Sequence, residues 1–166
     1  MLFIFIFCTE EASGICRSPY LESQVSRLNG SSGTFFTPDY PVPYPKGATC
    51  VWEITVPKGR VVKLTFENFA LASRSSDCRH DGKDFVEIRD SLSSTGKELG
   101  RYNCDLNAPD PPPDVYSTGR HMLVKFHSSV DTSVRRKEDK GFKAKFEAVD
   151  PPISNHMLGM SSSLSS

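Results

Sequence analysis

Thr34–Ile54, TFFTPDYPVPYPKGATCVWEI, sets Pro38, Pro41, Pro43 and Pro45 among tyrosines and then becomes an alternating apolar run. Each proline fixes φ and removes an N–H donor, so Pro38 to Pro45 can form neither a helix nor a central strand. An extended surface connection is expected there. Tyr40 and Tyr44 would pin it down through ring packing and a phenolic hydrogen bond.

The run that follows carries the fold. CVWEITV places Cys50, Trp52, Ile54 and Val56 on one face, while Val51, Glu53 and Thr55 point the other way, the pattern of a half-buried strand. Four further segments repeat it: VVKLTF with Val62, Leu64 and Phe66 inward, FVEIRD with Val86 and Ile88, HMLVKFHS with Met122, Val124 and Phe126, and GFKAKFEAV with Phe142, Ala144, Phe146 and Ala148. Their opposite faces carry Lys63, Glu87, Lys125, Lys143, Lys145 and Glu147. No segment has the apolar spacing of a multi-turn amphipathic helix, and the connections are rich in Pro, Gly, Ser and Asp. Short alternating strands between turn signals predict an all-β fold, an antiparallel β-sandwich. APDPPPD, with Pro109, Pro111, Pro112 and Pro113, reads as a stiff loop crossing between sheets.

A length of 166 residues suits one folded unit plus tails. Twenty basic residues balance twenty acidic ones, so nothing steers the chain toward nucleic acid or an anionic membrane. Met1 to Cys8, MLFIFIFC, is far shorter than the roughly 20 residues of a membrane span. It reads as the apolar region of a secretory signal, with Ala12-Ser13-Gly14 as the cleavage zone. The expected organisation is therefore a signal over residues 1–14, a domain over 15–149 and a linker or disordered tail over 150–166.

Removal of the signal takes Cys8 with it and leaves Cys16, Cys50, Cys78 and Cys104. That even set allows three pairings and suits an oxidising compartment. No CxxC or other zinc-like spacing is present, which favours disulfides over metal ligation. Asn29-Gly30-Ser31 is an N-glycosylation sequon, and Asn-Gly is equally a turn dipeptide. Arg135-Arg136-Lys137 is followed at once by Glu138, Asp139 and Lys140, as in an ordinary mixed-charge loop. His80, His121, His127 and His156 converge on no constellation, and no nucleophile, base and orienting group can be picked out as a trio. No enzymatic activity is expected.

In their order along the chain, GTFFTPDYPVPYP, CVWEITVPKG, VVKLTFENFAL, Cys78, DFVEIRD, LGRYNC, STGRHMLVKFHSS and GFKAKF resemble the CUB domain, an extracellular module. The likeness runs from about Leu28 to Val149. RYNC, STGRHMLVKF and GFKAKF look most similar to the neuropilin-and-tolloid-like receptor auxiliary proteins. The resemblance implies pairing of Cys16 with Cys50 and of Cys78 with Cys104. It implies an extracellular location, either secreted or in the ectodomain of a membrane protein, and a partner that is an extracellular or membrane-receptor protein. Loops holding Tyr44, Asp81, Asp84 and Asp131 would meet that partner. An alternative role is the non-catalytic recognition module of an astacin-type metalloprotease.

Many members of that family hold calcium with one Glu and two Asp, assisted by the tyrosine that corresponds to Tyr44. Ca²⁺ takes roughly six to eight oxygen ligands. Here the Glu position falls on Ala72, one Asp is kept as Asp84, and the other falls on Ser129. No cofactor is expected on that audit. Tyr44, Asp84 and Asp131 are the residues from which a rearranged calcium site would have to be assembled.

Overall fold

The computed structural model describes residues 24–72, 84–103, 111–130 and 139–152. The expected signal segment and the tail beyond residue 152 lie outside them. Among these residues nine strands make two sheets: β1 (Gln24–Asn29), β2 (Ser32–Phe36), β3 (Thr49–Thr55), β4 (Val61–Ala70), β5 (Phe85–Arg89), β6 (Glu98–Tyr102), β7 (Val115–Tyr116), β8 (His121–His127) and β9 (Gly141–Val149). One sheet runs β1-β3-β8-β5-β6 and the other β2-β9-β4-β7. The expected sandwich is present, and its pairings are antiparallel except that β1 lies parallel to β3. The chain from β6 to β7 passes from one sheet to the other, as the APDPPPD stretch suggested.

The inward residues read from alternation form the core. Cys50, Trp52, Ile54, Val62, Leu64, Val86, Ile88, Met122, Val124, Phe126, Ala144 and Phe146 belong to one buried cluster. Phe142 is its hub. The rings of Phe35, Trp52, Phe66, Phe69 and Phe126 surround it with centroids 5.4 to 6.3 Å away, at distances where edge-on and offset aromatic pairs are favourable. Gly141, at φ +88°, allows this placement: a Cβ there would lie 1.8 Å from Thr37 Oγ1. Thr37 and Phe142 can therefore close on each other, each backbone N–H donating across the gap, to Phe142 O and to Thr37 Oγ1, both at 3.1 Å.

The Pro38–Pro45 connection departs from the extended form expected. It folds into turns, with Tyr40 N–H donating to Thr37 O at 3.2 Å and Val42 N–H to Asp39 O at 2.8 Å. Asp39 adopts φ 63° and the Tyr40–Pro41 peptide is cis. Asp tolerates left-handed backbone, so the proline-rich segment can double back instead of stretching across the sandwich end. Tyr40 packs its ring 6.2 Å from that of Phe36.

The outer face of the five-stranded sheet is less open than simple alternation suggests. Phe85, Glu87 and Leu123 point away from the sandwich core but are buried, Glu87 to 5% exposure. The Glu87 carboxylate accepts from Arg89 Nε at 2.6 Å and from Arg101 on β6, while Arg101 also lies over the Phe85 ring at 4.5 Å. Burial alone would push the Glu87 carboxyl up, but the hydrogen bonds and charges of Arg89 and Arg101 outweigh it and hold it below the usual carboxylate range.

A folded-state pKa below the unfolded value adds stability at neutral pH that is lost as pH falls through the folded value. Glu87→Gln should therefore cost about 2 kcal/mol at pH 7. In urea titrations repeated down the pH scale, the gap from the parent should begin to close as pH drops below the ordinary Glu value of 4.5 and go on closing through the lower folded-state value.

Candidate functional site

The connections divide unequally between the two ends of the sandwich. Short turns join β1 to β2, β3 to β4, β5 to β6 and β7 to β8 at one pole. The longer connections, β2 to β3, β4 to β5, β6 to β7 and β8 to β9, leave from the other. Beneath that loop-bearing pole lies a buried polar knot.

Asp84 is its centre. It stands just before β5 at 3% exposure, and its carboxylate accepts from Tyr44 Oη at 2.5 Å and from the Ser129 N–H at 2.6 Å. Tyr44 is buried in the β2–β3 connection, its ring edge-on to Phe126 at 5.1 Å. Its hydroxyl accepts from the Ala72 N–H at 2.8 Å. Asn103, just after β6 at φ 72°, donates from Nδ2 to Ala72 O at 2.8 Å and to Asp84 O at 2.9 Å. Ser128 adds a further tie: its Oγ donates to Pro45 O at 2.9 Å and accepts from the Ala48 N–H at 2.8 Å. The ends of β4, β6 and β8 and the starts of β3 and β5 are thus joined to the proline-rich connection. Buried polar groups satisfied in this way become rigid.

The structure therefore brings Tyr44 and Asp84 into direct contact. Asp81 and Asp131 lie outside the described residues, as do Asp77, Arg135 to Lys137, His80 and His156. Cys16, Cys78 and Cys104 are outside as well. Cys50 is buried and disulfide-bonded, and its partner is not among the described residues. His121 and His127 sit at opposite ends of β8, each with Nδ1 against a threonine hydroxyl of β3, Thr55 at 3.0 Å and Thr49 at 3.3 Å. Sequence reasoning missed Asn103 and Ser128. Their only local signal is a residue type suited to left-handed backbone or to short side chain–backbone bonds.

Among the described residues, the knot offers one carboxylate, that of Asp84. Hard Ca²⁺ needs several carboxylate and carbonyl oxygens, whereas here both Asp84 carboxylate oxygens accept hydrogen bonds. Ala72 brings a methyl side chain and Ser129 a hydroxyl where the family pattern has acids. Among the described residues, no cluster of three or more His, Cys, Asp or Glu side chains could hold a metal. Two large apolar side chains are exposed at this pole, Val42 at 61% and Val130 at 77%. Pro41, Pro43 and Lys46 are exposed beside Val42.

The sequence profile of the CUB domain matches residues 23–146. The bone morphogenetic protein 1 homolog of Strongylocentrotus purpuratus is 39% identical over 119 residues, 72% of this chain and 17% of that protein. Human neuropilin and tolloid-like protein 2 is 28% identical over 147 residues, 89% of this chain and 26% of that protein. Among solved structures, the CUB1-EGF-CUB2 domains of rat MASP-1 superpose with a TM-score of 0.61 at 28% identity, covering 78% of this chain and 44% of that one. The chain thus spans about a quarter or less of the length of these two curated relatives.

Removing the Tyr44 hydroxyl takes away one donor to the Asp84 carboxylate and the acceptor of the Ala72 N–H. Tyr44→Phe should cost about 2 kcal/mol. In a double-mutant cycle with Asp84→Ala, urea unfolding should show a coupling of about 1–2 kcal/mol. Additive losses would mean that the two groups do not act together.

Proposed function

The chain belongs to the CUB domain family, and on that premise we propose that it recognises an extracellular or receptor protein at its loop-bearing pole. CUB domains mediate contacts between proteins and are generally non-catalytic. The observation that supports the reading is the asymmetry of the two poles. Four long connections leave one end, where Tyr44, Ala72, Asp84, Asn103 and Ser129 form a buried, hydrogen-bonded knot. A frame fixed before the encounter lowers the entropy cost of binding.

The Asp84 carboxylate is used inward, toward Tyr44 and Ser129. Val42, Val130, Pro41 and Pro43 face solvent at the foot of the loops, with Asp39 and Lys46 exposed near them in sequence. An apolar centre with a polar rim is the usual anatomy of a protein-binding patch. The outer face of the five-stranded sheet is less suited to docking, because Glu87, Arg89, Arg101 and Glu98 already pair among themselves. We place the chain in the secretory pathway, as the secreted protein or the ectodomain of a membrane protein, with Cys16 pairing Cys50 and Cys78 pairing Cys104.

The test is binding of the oxidised domain, fluorescently labelled, to intact cells bearing surface proteins, with protease-stripped cells as the control. Val42→Glu combined with Val130→Glu should weaken saturable, protease-sensitive binding at least tenfold while leaving the melting temperature unchanged. Undiminished binding by that variant would move the contact to another face.

A further inference from the structure

The pole opposite the knot carries a site that the binding role does not use. Asn29 is the last residue of β1 and is exposed, as is Ser31 two residues on. Between them Gly30, at φ +145°, donates its N–H to Thr55 O at 3.2 Å. Ser31 then passes its carbonyl to the Ala148 N–H at 2.7 Å. Asn29-Gly30-Ser31 is thus the bend by which the chain leaves one sheet for the other. Its backbone is tied on both sides while the Asn29 side chain is left in solvent.

We propose that Asn29 carries an N-linked glycan, and that this glycan covers the open edge of β1. The sequence is an acceptor sequon with a permitted middle residue. In the transfer, Asn29 Nδ2 attacks the reducing-end C1 of an oligosaccharide carried on a lipid pyrophosphate. The C1–O bond to phosphate breaks, the lipid pyrophosphate leaves with its electron pair, and Nδ2 gives up a proton as the C1–N bond forms. This happens on the unfolded chain during secretion, so the fold has only to leave room afterwards. Exposure at the end of an edge strand does so.

The placement also says what the sugar does. Among the described residues β1 ends its sheet, with β3 on one side and no strand on the other. On its outer face Val25 is 44% exposed, beside Val51 of β3. An uncovered edge of this kind invites pairing with a second chain. Asn29 aligns with Thr55, whereas Thr49 and His127 lie at the knot end of the same sheet. The sugar therefore shields the edge without approaching the loop-bearing pole.

The inference rests on passage through the secretory pathway, and the experiment supplies that passage. The full chain is expressed in mammalian cells behind a secretory leader, so failure of its own leader cannot be mistaken for an unused sequon. Intact mass before and after N-glycosidase should fall for the parent and stay constant for Asn29→Gln and for Ser31→Ala. An unmodified, secreted parent would overturn the site. Light scattering at matched concentration should find Asn29→Gln, and the folded parent trimmed by glycosidase, more self-associated than the glycosylated form. Equal scattering by all three would overturn the role as an edge cover. Trimming the folded parent keeps the test meaningful if the variants fold poorly.

Discussion

Among the described residues, the loop-bearing end of this protein is tied together at one buried carboxylate. Asp84 takes the Tyr44 hydroxyl on one oxygen and the Ser129 N–H on the other. A carboxylate withdrawn from water is costly unless such donors replace its hydration. The chain gathers them from distant points, with separations of 40 and 45 residues. The proline-rich connection and the start of the β8–β9 connection are thereby tied to the start of β5. Asn103 then ties the end of β6 to both Asp84 and Ala72.

The sandwich beneath supplies the rigidity that such geometry requires. Five aromatic rings contact Phe142. One of them, Phe126, also meets the ring of Tyr44, so the polar knot rests directly on the aromatic core. The packing is close enough that Trp52 Nε1 is buried without a hydrogen-bond partner, a local cost of about 1–3 kcal/mol that the surrounding ring contacts offset. At the far pole the turns are short and the chain merely reverses. The two ends are free to serve different purposes, recognition at one and surface protection at the other.

Much of this was legible in the sequence, and the reasons it was differ from residue to residue. Trp52, Leu64, Val86, Val124 and Phe146 declared their faces because a half-buried strand repeats every two residues. Tyr44 declared itself because a proline-rich surface segment needs an anchor. What alternation could not show was neighbourhood. Phe85, Glu87 and Leu123 lie on the solvent side yet are buried; Arg89 and Arg101 meet Glu87, and Arg101 and Lys125 lie over Phe85. β1 and β2 lacked a clean alternating pattern, since QVSRLN and SGTFF mix small and polar residues. The parallel pairing of β1 is a long-range choice that no local pattern encodes. The knot was half visible: Tyr44 and Asp84 stood out, whereas Asn103, Ser128 and the backbone of Ala72 act through positions that only the fold brings together.

We propose that hydrogen bonds within the chain close this end of the sandwich without a metal ion. A ligand that binds the folded state must raise its apparent stability. The most direct measurement is therefore the thermal melting of the oxidised domain in calcium and in chelator, with calorimetric titration of calcium into the same sample. Coincident melting curves and no saturable heat are predicted. A higher melting temperature in calcium, with saturable heat that disappears in Asp84→Asn, would contradict the account and make Asp84 a metal ligand.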